Sequence, residues 1–270
     1  MDLKTLKATI KRNFIIQLRA YPKHFFIGNL LTGLYTAISA YFMYHLFFKG
    51  NMKSSFADYA GTEDYMSFVI VGTAVYIYVV RTCLNVSRSL ITELREGTLE
   101  SVMIAPFRRV QYFLGNMLQQ VITTSGEVLI MVLFSIPFGL KFSNFNALSF
   151  VFSFVLVLFA FFSISMILAC IMLHFRDTYI SQNTLFALLF LLCGITFPYQ
   201  YLPKSIQWIS KIIPVTDAVT LIRSAVLLGQ GIGEQMDRMV YLFILSSVYC
   251  FVGFKLMEKI EGTALEKIHG

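Results

Sequence analysis

Residues 147–173 read ALSFVFSFVLVLFAFFSISMILACIML, without one charged side chain. At 1.5 Å rise per residue, roughly 20 apolar residues cross the ~30 Å hydrocarbon of a bilayer, so this stretch is long enough to span it. Working outward from it, residues 24–48, 66–91, 117–140, 179–197 and 239–257 meet or approach the same length. Segment 66–91 is the weakest, because Arg81 and Arg88 interrupt its later half. Its first part is apolar and the remainder can emerge at the interface. The expectation is an all-α integral membrane protein: one domain over residues 1–270 with six transmembrane helices.

Composition points the same way. The chain is 57% hydrophobic and 14% charged, with a mean hydropathy of +0.69. A soluble domain carries about a quarter charged residues to face water. The net charge of +7 does not point to nucleic acid, because the basic residues are spread over loops rather than gathered in one stripe. They orient the chain instead. With the N-terminus inside, fifteen of the 22 lysines and arginines fall in inner segments and seven in outer ones. Both termini are therefore predicted cytoplasmic, in a multi-pass protein of the cell (inner, cytoplasmic) membrane. Cys83, Cys170, Cys193 and Cys250 form no CxxC pair and the four histidines are isolated, so neither a disulfide framework nor a metal site is expected. The opening MDLKTLKATIKRNF lacks the apolar core and cleavage site of a signal peptide.

Three stretches outside the spans carry information. In residues 1–22, Leu3, Leu6, Ile10, Phe14 and Leu18 recur every three or four positions among lysines and arginines. This predicts an amphipathic interfacial helix suited to an anionic inner leaflet. The inner loop 92–109, TELREGTLESVMIAPFRR, is long and dense in both charge signs. It reads as a docking surface: Glu93–Glu100 forms one short helix broken near Gly97, and Pro106 halts any further helix in the loop. In the outer segment 198–230, Leu202, Ile206, Ile209 and Ile213 keep a helical period that Val215, Val219, Ile222 and Val226 resume after Pro214. Each piece is too short to span, which predicts a re-entrant helical hairpin before the last span.

Within the spans, Glu127 is an intramembrane carboxylate, costly unless paired, protonated or cavity-facing. Arg81, Asn85 and Arg88 share one face of the second span, and Arg88 is the first-choice partner for Glu127. Thr32, Thr36 and Ala40, beside Gly33 and Ala37, form a small-residue stripe for close helix packing. Tyr35, Tyr41, Tyr44 and Tyr76 populate the outer halves of the first two spans. They read mainly as an interfacial belt, and as a possible substrate wall.

Two passages resemble the type-two ABC exporter permeases. Glu93-Leu94-Arg95-Glu96-Gly97-Thr98-Leu99-Glu100, followed by Pro106, is similar to the acidic loop after that family's second span. Phe197-Pro198, Leu202-Pro203, Ile213-Pro214 and Arg223 are similar to its re-entrant segment. The resemblance implies that the loop is a coupling helix seated in a groove on a separate ABC ATPase, braced by the amino-terminal helix. Two ATPases would serve two permeases, the second permease being another copy or a homologue. It implies ATP and Mg on the partner ATPase and no cofactor on this chain, which has no G-x-x-x-x-G-K-[ST] loop. The implied function is export of an amphiphilic, drug-like, lipid-linked or glycan substrate, with no catalytic residue on this chain. The alternatives are a secondary transporter, which needs an inverted repeat, and an intramembrane enzyme, which needs convergent catalytic groups. Neither signature is evident in the sequence.

Overall fold

The computed structural model describes residues 3–20, 31, 34–49, 54–104, 109–142, 144–175 and 179–269, and these are helices joined by turns. Helix α1 covers Leu3–Ala20. Helix α2 is described over residues 34–42 and runs into a π-turn at Met43–Phe47. The rest of the expected first span, Thr32 and Gly33 among it, lies outside the described residues. After α3 (Ser54–Ala60), α4 runs unbroken from Tyr65 to Arg95. Then come α5 (Leu99–Ile104), α6 (Arg109–Ser135), α7 (Ala147–Phe175) and α8 (Tyr179–Leu192). The chain ends with α9 (Lys204–Ile212), α10 (Pro214–Val226) and α11 (Ile232–His269).

Among the described residues four segments are long and apolar enough to cross a membrane: Phe56–Arg95, Val110–Phe138, Ala147–Phe175 and Ile232–Lys259. Helix α7 is apolar on every side and lies at the centre of the bundle, packed on α4, α10 and α11. Its Val157, Phe161, Ile164 and Leu168 pack into one core with Val75 and Val79 of α4 and Val219 and Ile222 of α10. Helix α8 ends at Leu192, short of the expected 179–197, because Gly194 turns the backbone left-handed at φ 69°.

The 31 residues of α4 measure about 46 Å, well beyond the hydrocarbon thickness. Its end therefore projects past the apolar layer. The arginines that make this span weak in the sequence do not interrupt it; they line a polar cleft. The loop after it also differs from expectation. Glu93 and Arg95 do not start a short loop helix but close α4, which stops in a paired-hydrogen-bond turn. The Thr98 N–H donates to the Glu93 carbonyl at 2.9 Å, and the Gly97 N–H to the Leu94 carbonyl at 3.3 Å. This termination needs a left-handed residue, and Gly97 supplies it at φ 71°. The short helix is α5, six residues beginning one position after Thr98.

The proline-rich segment forms two short helices. Pro203 caps α9 and Pro214 opens α10, where its missing N–H costs nothing. Helix α10 is buried on nearly every side, whereas Trp208 of α9 is exposed.

Candidate functional site: a polar cleft behind the α4–α5 turn

Helices α1, α4 and α6 enclose a polar cleft of about 410 Å³. On α4 its wall is Arg81, Asn85, Arg88 and Thr92, one helical stripe; on α6 it is Asn116, Gln119, Gln120, Thr123 and Glu127. Helix α1 closes the cleft with a stripe that the apolar pattern does not point to. Leu6 and Thr9 are buried, Asn13 donates to the Asn116 side chain at 2.7 Å, and the Gln119 amide donates to Gln17 at 2.6 Å. That leaves Ile15, Ile16 and Leu18 exposed. The helix is thus held by amides on one face and offers apolar side chains on another.

The end of the cleft nearest the α4–α5 turn, inner in the expected orientation, is organised by Glu93, 3% exposed. Arg12 of α1 donates to its carboxylate at 2.5 Å, Tyr112 of α6 at 3.0 Å, and the Thr98 hydroxyl at 2.5 Å. One carboxylate therefore ties together α1, the α4–α5 turn and α6. The hydrogen bond to Glu93 raises the Arg12 guanidinium above its ordinary pKa, keeping the ion pair charged. Arg12 also reaches Glu96 at 4.0 Å. Arg95, Glu96, Gly97 and Thr98 are exposed at the tip of the turn. Leu99 instead packs inward with Leu94 against the core that holds Leu90 and Phe113; Ile104, 73% exposed, is a large apolar side chain that α5 presents. Pro106 and the Glu100 side chain lie outside the described residues.

Further along the cleft, Glu127 of α6 is 2% exposed and accepts from Arg81 at 3.0 Å. Arg81, not Arg88, is the partner. Arg88 is two turns nearer the inner end and lines the same cleft. The Asn85 amide completes the seam, donating to Gln119 at 3.0 Å and Gln120 at 2.9 Å. Glu127 is buried while Arg81 is 42% exposed, and a buried charge left without its partner costs more than making both positions apolar. Arg81→Ala or Glu127→Gln alone should therefore lower the thermal unfolding midpoint by several degrees, and the double variant Arg81→Met/Glu127→Leu should recover most of it. A double variant as unstable as the singles would refute a locking role for the pair.

Towards the N-terminal end of α4, outward in the expected orientation, the same stripe continues through Val71, Ala74 and Tyr78 and turns apolar. There α4, α6, α7 and α10 bound a cavity of about 600 Å³ walled by Val128, Val132, Phe145 and Phe154. Tyr78 and Ser125 pair at 2.8 Å where the polar and apolar parts meet. The four tyrosines do not form one platform. Tyr41 packs on Phe138 and Tyr44 stacks on Tyr65, whereas Tyr76 bonds the Phe186 carbonyl on another side of α4 and Tyr35 is exposed.

At the other end of α4 lie Arg223 and Pro198, two residues of the segment expected to be re-entrant. Arg223 of α10 is 8% exposed and donates to the carbonyls of Phe68 at 3.1 Å, Gly194 at 2.5 Å and Ile195 at 2.5 Å. Its guanidinium carbon lies 3.5 Å from the centre of the Phe68 ring. It fastens α10 to α4 and to the turn after α8. Beside it, Pro198, Tyr199 and Gly194 edge a cavity of about 730 Å³, the outer one in the expected orientation.

Long apolar helices thus surround a polar cleft, and a short helix is exposed at one end. The model of the family described as ABC-2 type transporter matches residues 4–227, and the chain belongs to that family. It is thus a multi-pass membrane subunit of an ABC transporter, and membership implies partnership with an ABC ATPase in a membrane complex. A search of curated proteins gave no significant match.

Proposed function

We propose that this chain is the permease of an ABC exporter: six spans in the cytoplasmic membrane with both termini inside, working as two copies, or one copy and a homologue, on two separate ATPase chains that hold ATP and Mg. The α4–α5 turn is the coupling element. The observation that carries this reading is Glu93. It lies where α1, α6 and the turn meet, so a push on α5 reaches both helices that wall the inner cleft. Charged Arg95 and Glu96 give registry with a partner, and Ile104 offers an apolar anchor.

The cargo is amphiphilic. A single face of α4 passes from Arg81, Asn85 and Arg88 to Val71 and Ala74, so a molecule with a polar head and an apolar body finds both environments along one groove. The proline-led pair α9–α10 is a re-entrant hairpin in the outer leaflet, with Trp208 at the interface.

The test is co-purification with the cognate ATPase. Glu96→Ala combined with Ile104→Asp should release it while leaving the permease folded, because both side chains are exposed. A complex that survives the double change would remove the coupling assignment.

A further inference from the structure

The outer cavity carries chemistry that coupling leaves unused. Helix α10 faces it with Asp217, Thr220 and Ser224, spaced three and four apart; α11 faces it with Glu234, Arg238 and Tyr241, spaced four and three apart. Three cations line it, Lys211, Arg223 and Arg238, and three carboxylates, Asp217, Glu234 and Asp237. Such a balance usually means mutual ion pairs. Among the described residues only a loose one forms, Arg238 to Asp217 at 3.7 Å. Lys211 and Asp237 make none.

Arg223 is the sharper observation. A guanidinium has five N–H donors. The three carbonyl bonds leave two of them, and carbonyls satisfy donors without cancelling the charge. Among the described residues no carboxylate pairs with Arg223. A buried cation on the wall of a roomy polar cavity is a socket for an oxyanion, and the planar fork of arginine suits phosphate. The carboxylates of the facing stripes supply the opposite charge for a cation on the same ligand.

We propose that the outer cavity binds a small zwitterion, a phosphate joined to a primary ammonium. The phosphate sits at Arg223 and the ammonium at Asp217 and Asp237. Its volume of about 730 Å³ holds a group of headgroup size with water to spare. The bound molecule bridges α10 and α11 and so stabilises the hairpin against the last helix. The inference stands apart from the coupling reading, since the cavity lies beyond the N-terminal end of α4 and Glu93 near its C-terminal end.

The test uses the full chain at pH 7.5. In one arm, free phosphoethanolamine is titrated calorimetrically into protein in a non-ionic detergent. In the other, the unfolding midpoint is compared between phosphatidylglycerol nanodiscs with and without phosphatidylethanolamine. Saturable binding in the first arm assigns a soluble ligand; a raised midpoint in the second alone assigns a lipid headgroup. Either result supports the proposal if Asp217→Asn weakens the effect at least tenfold and Asp237→Asn, at an exposed position, weakens it measurably. Arg223→Lys should do as much as Asp217→Asn; should that variant not fold, the two aspartate variants still decide. No response in either arm overturns the proposal. So does inorganic phosphate binding as well as phosphoethanolamine with the aspartate variants unaffected, because the site would then hold only an anion.

Discussion

Glu93→Ala is expected to abolish ATP-driven transport and to lower the stability of the permease by about 2–3 kcal/mol. Removing one partner of a buried, hydrogen-bonded ion pair costs about 3–5 kcal/mol when both charges are buried. Here Arg12 is 43% exposed and water compensates part of its loss, which brings the figure down. The Tyr112 and Thr98 hydroxyls also lose their acceptor. Arg12→Ala should cost less, because Tyr112 and Thr98 still hold the carboxylate. The mechanistic content lies in a third variant. Glu93→Gln keeps the size: its one carbonyl oxygen can still accept from Tyr112 while its amide N–H donates to the Thr98 hydroxyl, but it loses the charge that holds Arg12. It should fold with a midpoint only a few degrees down and bind the ATPase, yet transport poorly, since α1 no longer moves with the turn. Thermal unfolding, co-purification and transport measured side by side separate these outcomes. Full transport in Glu93→Gln would mean that the carboxylate only holds the turn together.

The apolar runs make the helical membrane class legible, because lipid as solvent imposes length and hydropathy on each span. The prolines mark α9 and α10 nearly to the residue, since Pro203 and Pro214 cannot sit inside a helix. What cannot be read is which neighbour each polar side chain meets. Arg81 and Arg88 share a face of α4, so the pattern cannot choose between them; the depth at which α6 crosses α4 does, and it favours Arg81. Glu93 reads as a surface charge of a docking loop because nothing local reveals that Arg12, 81 positions earlier, folds back onto it. One signal of the cleft is nevertheless present in the sequence. Asn116, Gln119, Gln120 and Thr123 lead to Glu127 at helical spacing, a polar stripe inside a span that marks a cleft as plainly as a charge does. Asp217 has the pattern of an ordinary first-turn acid of α10, and only tertiary packing places it on a cavity wall.

Gly72→Ala is expected to be the most damaging glycine-to-alanine change among the described residues, with a cost on the order of 3 kcal/mol or more and loss of the packing of α10 on α4. A methyl group there would overlap both Nη2 of Arg223 and the Ile195 carbonyl oxygen. Neither can move aside cheaply. The carbonyl is backbone, and the guanidinium is pinned by three carbonyls and the Phe68 ring. Glycine is used for its missing side chain, since α4 is regular helix at this point. The damage therefore depends on Arg223 being where it is, and a double variant exposes that dependence. Arg223→Ala alone leaves three carbonyls without their donor and should be strongly destabilising, because each buried unsatisfied group costs about 1–3 kcal/mol. Adding Gly72→Ala to it should cost less than Gly72→Ala costs the parent chain, as the cationic obstacle is gone, although the Ile195 oxygen still resists the methyl group. The sum of the single effects would thus exceed the effect of the pair. Strict additivity in unfolding measurements would mean that the two residues do not touch, and the anchoring of α10 to α4 through Arg223 would have to be abandoned.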